Sequence, residues 1–256
     1  MRMDQHFLTD TRVADRIISY AEITSSDTVL EIGAGRGKLT EKLEERAGKV
    51  YAIEKDRTLC EVLRDKCSSV EIICGDVLQM DLPEFDLVVA NLPYSISSEI
   101  TFKLFEHTFE IAILMYQLEF AERMVAKPNT RDYSRLSVHT QYFADVRILE
   151  VVPKTAFHPQ PKVKSAVVEI FPIEPPFEVD DRDFFFDFVT AVFTQRRKKM
   201  KNAILNTPQI SKIRNVKDVV SSLPNDLLKG RPEEYTPEEL AELSNMVYDI
   251  QSSIYR

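Results

Sequence analysis

Apolar residues along the first two-thirds of the chain follow two alternating patterns. Short, nearly continuous runs rich in β-branched residues are Thr28–Gly33, Val50–Glu54, Val70–Cys74, Asp86–Asn91 and Ile111–Tyr116. Between most of them, apolar positions recur at helical spacing, as from Leu39 to Ala47 and from Arg57 to Lys66. Strand–helix–strand repetition predicts a parallel sheet with helices on both faces, and strands apolar at nearly every position suit burial on both sides. Two further strand-like runs, Arg147–Val152 and Ser165–Phe171, have no obvious long helix between them. They are expected as an antiparallel addition at the sheet edge.

The pattern changes at Pro172-Ile173-Glu174-Pro175-Pro176, where three prolines in five residues mark a boundary. Beyond it the spacing is helical over Asp183–Val192, Lys199–Leu205, Val216–Leu223 and Glu238–Ile250. Thr236-Pro237-Glu238-Glu239 reads as a helix start, with Thr at the N-cap, Pro at the first helical position and Glu at the third. The expected organisation is an α/β domain over 1–174 and a small helical domain over 175–256, which a chain of 256 residues can accommodate.

Composition changes this picture little. Hydrophobic residues at 44% and charged residues at 29% fit a folded globular chain and argue against disorder. No apolar run is long enough to cross a bilayer. The start, Met1-Arg2-Met3-Asp4-Gln5-His6, lacks the apolar segment of a secretory signal, so a cytoplasmic, membrane-free protein is expected. Cys60, Cys67 and Cys74 form no C-x-x-C pair, and His6, His107, His139 and His158 are scattered. Reduced thiols packed in or near a core are favoured over a metal or redox site, and the odd count argues against a disulfide framework. No metal is expected.

Charge does change the picture. The net charge is −8, yet Thr194 to Lys217 holds eight bases and no acids: Arg196, Arg197, Lys198, Lys199, Lys201, Lys212, Arg214 and Lys217. Such a stripe is either the footprint of a polyanion site or a solvated helix face.

Candidate chemistry gathers at the strand ends. Gly33-Ala34-Gly35-Arg36-Gly37 follows the first strand, where glycines allow a tight turn and close approach of a ligand. The dinucleotide pattern would place its third glycine at position 38, which is Lys. Glu54 ends the second strand twenty-one residues after Gly33, where a carboxylate can accept both ribose hydroxyls of an adenosine. Asp76, after the third strand, can accept from the adenine amino group. Structural glycines, a helix-start acid and a turn aspartate are the alternatives; the regular placement favours an adenosyl site.

Asn91-Leu92-Pro93-Tyr94 ends the fourth strand. An adenine N6 lone pair is delocalised and weakly nucleophilic, whereas a sulfonium methyl is strongly electrophilic. The reaction therefore needs acceptors for the N6 protons rather than a metal or a strong base. The Asn91 side-chain oxygen and the Leu92 carbonyl, held by Pro93, can be those acceptors. Tyr94 offers a face for base stacking worth ~1–3 kcal/mol. Taken alone, the tetrapeptide is also consistent with an ordinary turn.

The chain resembles the ribosomal RNA adenine dimethyltransferases of the small-subunit type. The matching segments are Gln5-His6-Phe7-Leu8, Glu31 to Thr40, Glu54, Gly75-Asp76, Asn91-Leu92-Pro93-Tyr94, Phe157 to Ser165 and Gln195-Arg196-Arg197-Lys198. The resemblance implies a Rossmann-like, mostly parallel S-adenosylmethionine-dependent methyltransferase sheet with an antiparallel edge and a small C-terminal helical domain. It implies transfer of two methyls to each of two adjacent adenosines in a hairpin loop near the 3′ end of small-subunit rRNA. The partner would be that rRNA within the immature small ribosomal subunit, and the protein a monomer.

By the same resemblance, cofactor contacts fall on His6, Leu8, Gly33, Glu54, Asp76 and Asn91, with Gln5, Gly35 and Val77 completing the set. His6 departs from the usual Asn, although an imidazole can still donate a hydrogen bond. Phe157, in a loop stiffened by Pro159 and Pro161, is either a second face for the target base or a cap on the core. Arg196, Arg197, Lys198 and Lys199 are expected to contact RNA phosphates, the other reading being a solvated junction. Competing functions are an amino-group methyltransferase acting on large-subunit rRNA or another substrate, and a methyltransferase fold kept as an RNA-binding assembly factor.

Overall fold

The computed structural model describes residues 6–254. The chain forms two compact units, one of residues 1–121 with Asp145–Pro172 and the other of Glu122–Ala144 with Ile173–Arg256.

The first unit is built on a seven-stranded sheet. Its elements in chain order are β1 (Phe7–Leu8), α1 (Thr11–Tyr20), β2 (Thr28–Ile32), α2 (Thr40–Glu44), β3 (Lys49–Glu54), α3 (Arg57–Lys66), β4 (Glu71–Cys74), β5 (Leu87–Asn91), α4 (Ser97–Leu104), β6 (Ile111–Gln117), then α5 (Leu118–Met124) and α6 (Arg135–Phe143), which lead into the second unit, and β7 (Ala144–Val152), β8 (Phe157–His158) and β9 (Ser165–Pro172). The strand order is β4-β3-β2-β5-β6-β9-β7. β2 pairs parallel with β3 on one side and β5 on the other, so chain direction across the sheet reverses between β2 and β5. Such a switch point opens a crevice at the carboxyl ends of the strands. Gly33 and Asn91 both lie at that end.

The expected antiparallel addition is present. β9 runs antiparallel to β6, with Gln117 opposite Ser165 and Met115 opposite Val167, and β7 lies outermost. The two-residue strands β1 and β8 pair separately, Leu8 opposite Phe157. The core packs Val29, Val89, Ile113 and Val167 from the sheet with Val13 and Ile17 of α1. Asp10 caps α1 by accepting from Arg12 N at 2.9 Å, and Asp56 caps α3 by accepting from Thr58 N at 2.9 Å.

The second unit adds α7 (Arg182–Thr194), α8 (Met200–Asn206), α9 (Pro208–Ser211), α10 (Val216–Ser222) and α11 (Pro237–Ile254). The expected start of α11 forms as a reciprocal cap: Thr236 Oγ1 accepts from Glu239 N at 3.2 Å and Glu239 Oε2 accepts from Thr236 N at 2.8 Å. The expected boundary at 174/175 lies two residues beyond the observed change at Pro172/Ile173. Glu122–Ala144, expected in the α/β domain, belongs to the helical unit. The reason is packing: Tyr133 and Tyr142 join a core with Phe185, Phe188 and Val247, and the Tyr133 hydroxyl donates to the Tyr235 carbonyl at 2.9 Å.

Cys60 and Cys74 are joined by a disulfide with 6.0 Å between Cα atoms, and Cys67 is a buried free thiol, which corrects the expectation of three reduced cysteines. Packing of α3 against the end of β4 brings the first and third cysteines together, so parity of the count did not decide the matter. Among the described residues no helix is long and apolar enough to cross a membrane, and no group of three or more His, Cys, Asp or Glu side chains is placed to hold a metal.

Candidate active site

The glycine loop leaves β2 with Gly33 and Gly35 at φ values of 74° and 59°, a region that L-residues other than glycine rarely adopt. A Cβ on Gly33 would lie 3.2 Å from Pro93 Cδ, and one on Gly35 would lie 3.2 Å from the Phe7 ring. The loop is thus folded tightly onto the acceptor tetrapeptide on one side and onto β1 on the other.

Glu54 is 7% exposed at the end of β3. Its Oε2 accepts from Gly35 N at 2.8 Å and its Oε1 from Asp56 N at 2.9 Å. Each carboxylate oxygen has two acceptor directions, so capacity remains for a diol. These bonds also test the kind of ligand. A pyrophosphate would need the Gly35 N–H, which the Glu54 carboxylate already holds, and would meet that carboxylate's charge. A ligand presenting ribose hydroxyls and a positive centre suits the same donor set.

Glu54 is opposite Cys74 in the β3–β4 ladder, which puts Asp76 two residues past the neighbouring strand end. Asp76 Oδ1 accepts from Leu78 N at 3.1 Å and its Oδ2 from Lys55 Nζ at 2.7 Å. The Lys55 ammonium holds the Asp76 carboxyl below its ordinary range, which keeps it ionised and able to accept hydrogen bonds. The next residue, Val77, is buried beneath the turn.

Asn91 ends β5 with its Nδ2 donating to the His6 carbonyl at 3.2 Å. That bond sets the amide orientation and directs the Asn91 oxygen away as an acceptor. The Nδ1 of His6 donates to the Pro159 carbonyl at 2.9 Å, which braces the loop after β8. Leu8 is buried in the core, which leaves its backbone for any ligand contact, and Gln5 lies outside the described residues.

Tyr94 follows Pro93, whose φ of −61° and ψ of 119° turn the chain into a 3₁₀ segment over Tyr94–Ile96. Tyr94 is half-buried, its ring 6.0 Å from that of His6, and its hydroxyl lies 2.5 Å from Ser165 Oγ. Phe157 is 2% exposed and packed in the first unit's core.

Two groups here were not anticipated from sequence. Glu31, 2% exposed in the middle of β2, accepts from Thr40 Oγ1 at 2.6 Å; a lone acid inside an apolar strand was its visible signal. Ser165 was visible only as the last residue of the Phe157 to Ser165 segment, with no role attached to it.

The basic stripe lies in the second unit and is divided by its contacts. Arg196 is locked in place, paired with Glu233 and donating to the Thr130 carbonyl at 2.9 Å, and Lys212 pairs with Asp187 at 2.6 Å. Arg197, Lys198 and Lys199 are exposed. Arg197 and Lys198 line a cavity of about 500 Å³ together with Arg131, Arg196, Arg231 and Glu233. Arg131 and Arg231 are too far from the stripe in sequence to have been read with it.

An open, mostly parallel sheet with carboxylates at two strand ends and an amide–proline–tyrosine turn at its switch point suits an S-adenosylmethionine-dependent methyltransferase. Residues 1–235 match the model of the ribosomal RNA adenine dimethylase family. The chain is 56% identical to a Methanosarcina mazei protein named "probable ribosomal RNA small subunit methyltransferase A", over 97% of this chain and 93% of that one. A Halobacterium salinarum protein of the same name is 46% identical over 98% and 90%. Among solved structures, a dimethyladenosine transferase from Plasmodium falciparum superposes with a TM-score of 0.81 at 30% identity, covering 96% of this chain and 98% of that one. The 23S rRNA methyltransferase ErmE gives 0.68 at 28% identity, covering 94% and 99%. The chain belongs to the ribosomal RNA adenine dimethylase family and is an rRNA methyltransferase that uses S-adenosylmethionine.

Proposed function

We propose that the protein dimethylates N6 of two adjacent adenosines in a hairpin loop near the 3′ end of small-subunit rRNA, acting in the cytoplasm on the immature subunit. The orientation of Asn91 at the switch point carries this reading. With its Nδ2 engaged by the His6 carbonyl, the Asn91 oxygen is left to accept from an adenine N6, and the Leu92 carbonyl provides a second acceptor. Two acceptors on one amino group pull its nitrogen out of the ring plane and free the lone pair. After one transfer the methylated nitrogen is cationic and releases one proton to solvent; it keeps a single hydrogen, which either acceptor can take, so the same turn serves both methylations. S-adenosylmethionine supplies an electrophilic sulfonium methyl when bound. Glu54 and Asp76 would hold its ribose and adenine, alongside the backbone of Gly33, Gly35, Leu8 and Val77.

Tyr94 gives the target base its stacking face. Arg197, Lys198 and Lys199, extended by Arg131 and Arg231, hold rRNA phosphates on the helical unit. Arg196 shapes that surface through Glu233.

The test is incubation with labelled cofactor and immature small subunits, followed by mapping of modified nucleosides. Dimethyladenosine at two neighbouring positions is the expected product; one monomethylated base refutes dimethylation. Asn91→Ala should lower the transfer rate by ~10²–10³-fold, the range for loss of one preorganised polar group. Its cofactor affinity should fall much less, and near-normal turnover would overturn the role of Asn91.

A further inference from the structure

We propose that Ser165 is a positioning residue for methyl transfer, its hydroxyl anchoring the phenol of Tyr94 so that the aromatic platform stays in one place beside the target adenine. The inference rests on Tyr94 being that platform.

Stacking uses the π face, which phenylalanine has equally, so a hydroxyl at position 94 needs another explanation. Here the hydroxyl meets Ser165 Oγ at 2.5 Å. Ser165 is fully buried and begins β9, a strand otherwise almost wholly apolar in Ala166-Val167-Val168-Glu169-Ile170. A buried hydroxyl in such a strand requires a partner, and the two hydroxyls satisfy each other.

The anchor itself is rigid. Ser165 is opposite Gln117 in the β6–β9 ladder, and the preceding carbonyl, that of Lys164, accepts from Leu118 N at 3.0 Å. At its other end the Tyr94 ring is fixed by the backbone turn after Pro93. The side chain is therefore held at both Cα and the phenol oxygen, and χ1 cannot turn, nor the ring swing away, without breaking the bond to Ser165. A phenylalanine would lack that tether at the far end of the ring. Because Asn91 and Leu92 immediately precede this turn, the same sheet fixes both the position of the platform and that of the acceptors for the amino group. A reacting nitrogen misplaced by about an ångström can lose on the order of 10²-fold in rate.

A double-mutant cycle on the rate of methyl transfer to immature small subunits tests this. Ser165→Ala and Tyr94→Phe are each expected to lower kcat about tenfold. Cofactor affinity by calorimetry should change little, while the melting temperature should fall in Tyr94→Phe, which leaves the buried Ser165 hydroxyl without this partner. The double variant should be no slower than either single variant, since one shared bond is removed in all three. Ser165→Thr, which keeps a hydroxyl, should recover most of the rate. Multiplying losses of about a hundredfold in the double variant would overturn the inference, as would normal kcat in Ser165→Ala or a loss confined to KM. Tyr94→Ala separates platform from anchor. Normal turnover in that variant means Tyr94 is no platform at all, whereas its collapse beside a normal Ser165→Ala refutes only the anchoring role.

Discussion

Glu31 is enclosed by the sheet directly behind the glycine loop, and burial pushes its carboxyl up to about 8; the Thr40 hydrogen bond opposes that rise and the nearby Glu54 charge adds to it. At neutral pH it is therefore largely protonated, which lets an acid occupy the interior of β2 without an ionic partner. The linkage has a definite sign. An unfolded glutamate titrates near 4.5, so between that value and about 8 the folded chain binds the extra proton. Stability from this group is complete below the lower value and drains away as pH rises through the upper one, at up to ~1.4 kcal/mol per pH unit. The melting temperature should fall between pH 5 and pH 8.5, and Glu31→Gln, which keeps the shape and loses the titration, should flatten that decline. Identical pH profiles for the two proteins would remove Glu31 as the source.

At the scale of elements, the glycine loop does two separable things. Gly33 lies against Pro93 and Gly35 lies against Phe7 while giving its N–H to Glu54. An alanine at either position adopts a left-handed backbone at about 1–2 kcal/mol. The functional losses should differ. Gly33→Ala pushes on the acceptor turn and should lower kcat more than cofactor affinity, whereas Gly35→Ala displaces the N–H that orients Glu54 and should weaken cofactor binding first. Calorimetry beside single-turnover rates reads the difference, and matching losses in both variants would show that the loop acts as one piece. Much of this was legible in the sequence, because glycines, acids and Asn91-Leu92-Pro93-Tyr94 each sit at the end of a strand whose apolar run is plain. The end of α5, the segment after it and α6 were not legible as part of the helical unit. They lie between two sheet strands in sequence, and their assignment depends on Tyr133 and Tyr142 meeting residues such as Phe185 and Tyr235 far along the chain. The His6–Pro159 and Tyr94–Ser165 bonds were hidden for the same reason: they pair residues 153 and 71 positions apart with no periodic signal.

For the whole molecule, a net charge of −8 opposes general attraction to nucleic acid, so binding of rRNA has to come from local fields. Charge along the chain marked one such place, but it could not tell which bases are available. Arg196 is committed to Glu233 and the Thr130 carbonyl, and Lys212 to Asp187. On the proposed reading, the phosphate surface combines Arg197, Lys198 and Lys199 with Arg131 and Arg231, and the fold brings both of these arginines to the cavity wall that Arg197 and Lys198 line. Two sets of substitutions separate these roles. Neutralising Arg197, Lys198, Arg131 and Arg231 together should weaken binding of the immature subunit and flatten its dependence on salt, by about 0.7–0.9 in log–log slope for each phosphate that is no longer neutralised. Arg196→Ala should instead lower the melting temperature, because it leaves Glu233 partly buried without its cation, and should change the salt slope by less than the share of a single phosphate. If Arg196→Ala alone flattens the slope while the fourfold variant leaves it intact, the phosphates are held by the stripe's first arginine and the cavity wall is not the RNA surface.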